Sequence, residues 1–134
     1  MTVIRCRQCH QPYPSEGIVF CCPNCGGTFD FSGPPALDPA RVERHLPGIW
    51  RYRHAFNLFA GAPPVSLGEG NTPLVWENVD GHEVGLKLES LNPSGSFKDR
   101  GTTVLVSQLL SRGVREAVED SSGNAGASFA AYAA

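Results

Sequence analysis

Apolar and polar positions change their spacing several times along the chain. The clearest helical period runs through residues 96–112, where Val104, Leu105, Gln108 and Leu109 recur on one side with Gly101 and Leu110 alongside. Gly113 supplies a stop, as glycine does just past a helix end. Upstream, residues 72–76 and 83–89 read as strands, and Asp80-Gly81 between them is a hairpin turn signal. Downstream, residues 114–120 read as a weak strand, and a Gly/Ser turn leads into a last helix over 125–134. That helix has no polar face and no C-cap, as expected of a buried helix. We therefore expect the sequence to be the first part of a longer protein.

The earlier chain is patterned differently. Residues 1–33 hold all five cysteines and few apolar side chains. Within them, 17–20 and 28–31 read as short strands. Residues 34–66 form a connector that opens on Gly33-Pro34-Pro35. A short helix is predicted over 37–43, with Asp38 as N-cap and Pro39 at its first position, ended by Leu46-Pro47-Gly48. Ala62-Pro63-Pro64 closes the connector, and from residue 67 the pattern is α/β.

Composition narrows the function classes. The 134 residues are 41% hydrophobic and 18% charged, which suits a globular protein and not a disordered one. A net charge of −2 gives no global attraction to nucleic acid. No apolar run approaches the ~20 residues of a membrane span. The N-terminus lacks the apolar core of a signal peptide. The expected location is cytoplasmic, where thiols stay reduced.

Cys6-Arg7-Gln8-Cys9 and Cys22-Pro23-Asn24-Cys25 are two C-x-x-C knuckles, the second followed by Gly26-Gly27. This spacing predicts a structural Zn²⁺ held by Cys6, Cys9, Cys22 and Cys25. So few apolar side chains cannot bury a stabilising core, and a structural zinc contributes on the order of 10–16 kcal/mol of apparent folding energy. A metal-free remnant and a disulfide pair are the other readings. Cys21 reads as a bystander thiol, and His10 as a weaker alternative ligand. Arg5 and Arg7 are offset by Glu16 and Asp30, so the segment suits a structural role better than phosphate binding. Four sulfurs close the site to catalysis.

Ser94-Gly95-Ser96-Phe97-Lys98-Asp99-Arg100-Gly101 carries one of only two lysines, against nine arginines. Asp99 stands three residues after Ser96, close to a capping box. A helix start disfavours a cation by about 0.3–1 kcal/mol, too little to neutralise an amine. An amine kept there fits a Schiff-base nucleophile; a solvated first-turn lysine fits the local chemistry as well. The turn Ser121-Ser122-Gly123-Asn124-Ala125-Gly126 is built of small residues whose N–H and hydroxyl groups suit an anion, though an ordinary strand-to-helix turn has the same composition.

Together these motifs resemble the fold-type II pyridoxal-phosphate enzymes, and among them the threonine synthase family. Ser66-Leu67-Gly68-Glu69-Gly70-Asn71-Thr72-Pro73-Leu74, residues 87–101, residues 121–127 and the cysteine-rich start carry the resemblance, in the family's order. It implies an α/β fold: a zinc ribbon, then the incomplete first portion of a three-layer αβα domain like that of tryptophan synthase β. It implies that Lys98 bonds to pyridoxal 5'-phosphate and shuttles protons. Asn124 would contact the cofactor's ring oxygen, and Ser121, Ser122 and Gly123 would hold the substrate carboxylate. Thr72 would lie near the substrate. The reaction implied converts O-phosphohomoserine and water to threonine and phosphate. The family's phosphate cup lies beyond residue 134, so catalysis is expected of a longer protein and not of these residues alone. A related lyase or dehydratase acting on serine or threonine is the alternative enzyme. A truncated product or zinc-ribbon binding module is the alternative outside enzymes. Expected partners are the amino-acid substrate and a second copy in a homodimer, with no nucleic acid and no membrane.

Trp50, Tyr52 and Phe56 with Arg51 and Arg53 read as a connector docking onto the following domain, with an RNA-stacking patch as the other reading. Arg100 reads as solvated or ion-paired near Asp99 or Glu89, with a phosphate contact as the other reading. His45, His54 and His82 read as surface residues.

Overall fold

β1 (Ile4–Cys6) pairs antiparallel with β2 (Phe29–Phe31), with Cys6 opposite Phe29. The structure, a computed structural model, describes residues 4–33, 37–58 and 61–134. The break at Gly33-Pro34-Pro35 therefore falls partly outside the described residues. Between β1 and β2 the chain makes the two knuckles. Gly26 takes a φ of +72°, and its N–H bonds the Cys22 carbonyl at 2.8 Å. Residues 17–20, expected as a strand, are not one. The Tyr13 hydroxyl donates to the Val19 carbonyl and accepts from its N–H, so both groups are satisfied without a ladder.

In the connector Asp38 caps a 3₁₀ helix, Pro39–Arg41, accepting from the Ala40 N–H at 3.0 Å. The helix stops there and does not reach Leu46. Pro47-Gly48 begins a second 3₁₀ helix, Gly48–Ala55, where no element was expected. Close docking explains it. Gly48 has φ +53°, and a Cβ built on it would lie 1.9 Å from the Glu69 carbonyl oxygen. The buried Trp50 packs edge-on to Phe56 at 5.9 Å. Arg53 clamps Glu43 with bonds of 2.6 and 2.7 Å. The connector is thus docked onto the loop at residues 66–70, as expected. His54 departs from the surface role: it is half-buried, and its Nε2 accepts from the Asp38 N–H.

β3 (Leu74–Val79) and β4 (His82–Lys87) form the expected hairpin, with Val79 opposite His82. Asp80 and Gly81 both take positive φ, the twist a two-residue turn requires. The sheet begins two residues later than expected, leaving Thr72 and Pro73 outside it. Glu89 opens a one-turn 3₁₀ helix, Glu89–Leu91.

Two helices complete the described chain, α1 (Asp99–Ser111) and α2 (Asn124–Ala133). Residues 114–120 are irregular and not a strand; no described strand lies beside them to share a ladder. The content is therefore mixed α/β, but both described sheets are two-stranded and antiparallel. The faces that pack are polar. α1 buries Asp99, Thr102, Thr103, Val106 and Ser107, while Leu105 of the apolar stripe is exposed. Ser107 accepts from the Val65 N–H at 2.8 Å, and the Thr103 hydroxyl donates to the Val65 carbonyl. α2, expected to be a uniformly buried apolar helix, instead buries Ser128 and Tyr132 and leaves most of its alanines outside. At the far end of α1, Arg112 donates to the Pro14 and Gly17 carbonyls and stacks 5.1 Å from the Tyr13 ring centroid. That contact seats the cysteine segment against the helix.

Candidate functional site

The four knuckle sulfurs converge. Cys6, Cys9, Cys22 and Cys25 place all Sγ atoms within 4.8 Å of one another, with Cys6–Cys25 and Cys9–Cys22 at 3.5 Å. A tetrahedral zinc with sulfur bonds of about 2.3 Å needs sulfurs about 3.8 Å apart, so the cage fits the ion. The Gln11 amide aimed at Cys9, helped by Asn24, lowers that thiol to about 6. The Gly27 amide favours the Cys25 thiolate, but the neighbouring Cys9 and Cys6 sulfurs outweigh it and push Cys25 up to about 12. The cage holds negative charge that a divalent cation neutralises. Cys21 is exposed and outside the cage. His10 is exposed and likewise absent from it.

Lys98 stands at the N-cap of α1 with helical backbone angles. Its N–H bonds the Ser96 hydroxyl at 3.1 Å, and its carbonyl accepts from the Gly101 and Thr102 amides at 3.0 Å. The backbone is thus held while the side chain is exposed, its Nζ 5.2 Å from the Phe97 ring centroid. Phe97 is itself largely exposed. An amine held by its backbone and open at its tip can receive an aldehyde cofactor.

The second loop meets the same region from α2. Asn124 is the first residue of that helix and is exposed, as are Ser121, Ser122 and Gly123. Ser121 Oγ accepts from the Gly123 N–H at 3.2 Å, and a Cβ on Gly126 would come within 3.1 Å of Ser121. No side chain caps the α2 start, which leaves first-turn donors suited to an anion.

What joins the two loops was not foreseen. Asp99 does not close a capping box with Ser96. Its carboxylate accepts from the Ser94 N–H at 2.7 Å, from the Ser94 hydroxyl, and from the Ser128 hydroxyl at 2.6 Å. Ser128 Oγ also lies 2.8 Å from the Thr102 hydroxyl. Asp99 directly follows Lys98, and Ser128 is one turn beyond Asn124, so the two helix starts lie together. Ser128 gave no sign in an alanine-rich stretch.

Thr72 is buried, not presented to solvent. Its hydroxyl donates to Glu89 at 2.7 Å and accepts from Arg100 at 3.1 Å, while Lys87 bonds its carbonyl. Arg100 grips Glu89 through two bonds of 2.7 Å, the pairing expected of it. The Arg100 guanidinium, with Thr72 and Asn92 adding to it, holds the Glu89 carboxyl at about 2 against opposing burial. Because this value lies below the unfolded one of 4.5, the pair stabilises fully above about pH 4.5 and fades as pH falls toward 2. Screening at its partly exposed edge leaves about 1–2 kcal/mol. We expect Glu89→Gln to flatten the fall in melting temperature between pH 5 and pH 2; an unchanged slope removes this assignment.

An exposed amine at one helix start, joined through Asp99 and Ser128 to an uncapped second helix start, suits a cofactor-dependent enzyme. The chain belongs to the pyridoxal-phosphate dependent enzyme family, whose profile matches residues 65–134. It is similar to the threonine synthase of Methanosarcina acetivorans, at 32% identity over 98% of this chain and 34% of that protein. The threonine synthase of Methanocaldococcus jannaschii is 36% identical over 97% of this chain and 34% of its own length. That of Mycobacterium leprae reaches 51% over 64% of this chain and 25% of its own. The chain spans about a third of the length of the first two relatives.

Proposed function

We propose that the full-length protein is a threonine synthase that uses pyridoxal phosphate bound at Lys98 to turn O-phosphohomoserine and water into threonine and phosphate. The observation that carries this reading is the near end-to-end alignment of this chain with two threonine synthases, cysteine segment included. In this reading residues 1–33 are a zinc ribbon, 34–66 a connector, and 67–134 the opening of a three-layer αβα catalytic domain. The cage of Cys6, Cys9, Cys22 and Cys25 holds zinc for folding alone.

The cofactor, when bound, supplies an electron sink for the substrate carbanion. This chain's residues do the rest. The Lys98 amine binds the cofactor and, once released, moves protons at the substrate carbons. The Asn124 amide orients the cofactor ring. The amides and hydroxyls of Ser121, Ser122 and Gly123 hold the substrate carboxylate at the positive end of α2. Thr72, tied between Glu89 and Arg100, supports the substrate side of the pocket. The substrate is a small amino acid, and the proposed setting is a cytoplasmic homodimer.

Product analysis tests the reading. With O-phosphohomoserine the full-length protein should release threonine and inorganic phosphate in equal amounts. A keto acid and ammonia formed from serine or threonine would move it to the dehydratases. No product and no visible cofactor absorption would make it non-catalytic.

A further inference from the structure

We infer that Asp99 is the positioning residue that sets the Lys98 amine against the start of α2. The inference rests on the proposed role of Lys98.

The Asp99 side chain is fully buried. A buried carboxylate is tolerated only where donors surround it. Its three donors come from two other pieces of chain. Ser94 belongs to the turn before the lysine, and Ser128 belongs to the helix that begins at Asn124. One carboxylate therefore ties together the turn that presents Lys98, the helix that Lys98 caps, and the helix whose start faces the proposed anion. Charge-assisted bonds of this kind are short and directional. The remaining polar atoms of the Lys98 backbone are already held by Ser96, Gly101 and Thr102, so the clamp leaves the side chain as the mobile part.

Glu69 provides a comparison within the same fold. It is also fully buried, and it accepts from the Tyr132 hydroxyl at 2.8 Å, one turn beyond Ser128. Its other partners are Ser66 and the Leu67 N–H, not the lysine turn. Burial, with Glu69 beside it, pushes the Tyr132 hydroxyl up, so it remains a donor. Glu69 thus anchors α2 without touching the lysine turn, and Asp99 anchors both.

The test is competitive labelling of the full-length protein with limiting pyridoxal phosphate, trapped by borohydride and mapped to peptides. Lys87, tied to the Thr72 carbonyl, is the internal reference. Wild type should label Lys98 well above Lys87 and show a defined pH midpoint. Asp99→Asn should lower the Lys98-to-Lys87 ratio about tenfold and shift that midpoint. Asp99→Glu, which keeps the charge, should restore part of the ratio. Glu69→Gln should lower the melting temperature and leave the ratio unchanged. If Asp99→Asn fails to fold, Ser128→Ala removes only the α2 arm and should lower the ratio about threefold. An unchanged ratio in Asp99→Asn or Ser128→Ala, or an equal fall in Glu69→Gln, overturns the inference. Wild type with no preference for Lys98 overturns the cofactor reading, and this inference falls with it.

Discussion

Replacing Lys98 with arginine in the full-length protein is expected to lower threonine formation by at least about 10²–10⁴-fold, the share a positioned acid–base group supplies. Arginine keeps the charge and most of the reach. It cannot lose its proton at accessible pH, so it can neither attack an aldehyde nor take a proton from carbon. The structure adds that the loss should be chemical and not structural. The Lys98 side chain is exposed, and the bonds that define the α1 start come from its backbone and from Asp99. The melting temperature of cofactor-free Lys98→Arg should therefore stay within a degree or two of cofactor-free wild type, since exposed substitutions rarely exceed about 0.5 kcal/mol. Turnover assays with the cofactor and thermal melts without it check both halves. Activity within a few-fold of wild type would remove Lys98 from the chemistry.

The second large effect is expected at the cysteine cage. One zinc should co-purify per chain, and its removal by a chelator should unfold residues 4–33. Cys6 and Cys22 are the buried members, and the two strands of the segment, β1 and β2, are three residues each. Apolar support is thin: the Tyr13–Phe29 ring pair at 4.8 Å is its main aromatic contact. Without the ion, four sulfurs that now share a cage repel one another as thiolates or face each other as poorly solvated thiols. A structural zinc supplies on the order of 10–16 kcal/mol in such sites, more than this segment can replace. Cys22→Ser should behave like chelation, and Cys21→Ser should change nothing, because Cys21 is exposed and outside the cage. Metal analysis with backbone NMR would check this. A metal-free chain whose β1–β2 pairing persists would refute it. The unfolding should also release Arg112 from the Pro14 and Gly17 carbonyls.

Some of this was legible in the chain because the cause is local. Asp80-Gly81 can hardly do other than turn, since both residues accept positive φ and the flanks favour strands. Asp38-Pro39 starts a helical turn by its own capping chemistry. The C-x-x-C spacing brings each sulfur pair to one knuckle wherever the knuckles go. Other readings failed where a distant partner decides. Residues 17–20 have strand composition, but the Tyr13 hydroxyl took the Val19 backbone. Residues 114–120 have it too and lack a described neighbour. The aromatic-basic stretch after Pro47 became a 3₁₀ helix because Gly48 presses against the Glu69 backbone.

Residue type and spacing marked the candidate groups, the amine, the small-residue turn and the four thiols, and the structure gathers the thiols into one cage. How the amine and the turn are joined was not legible in the chain. Asp99 became a clamp because Ser128 arrives from 29 residues away, and Tyr132 found Glu69 across 63. A buried carboxylate is stable only with its donors in place, and which donors reach it depends on how helices pack, a choice that hydrophobic period cannot encode when the packed faces are themselves polar.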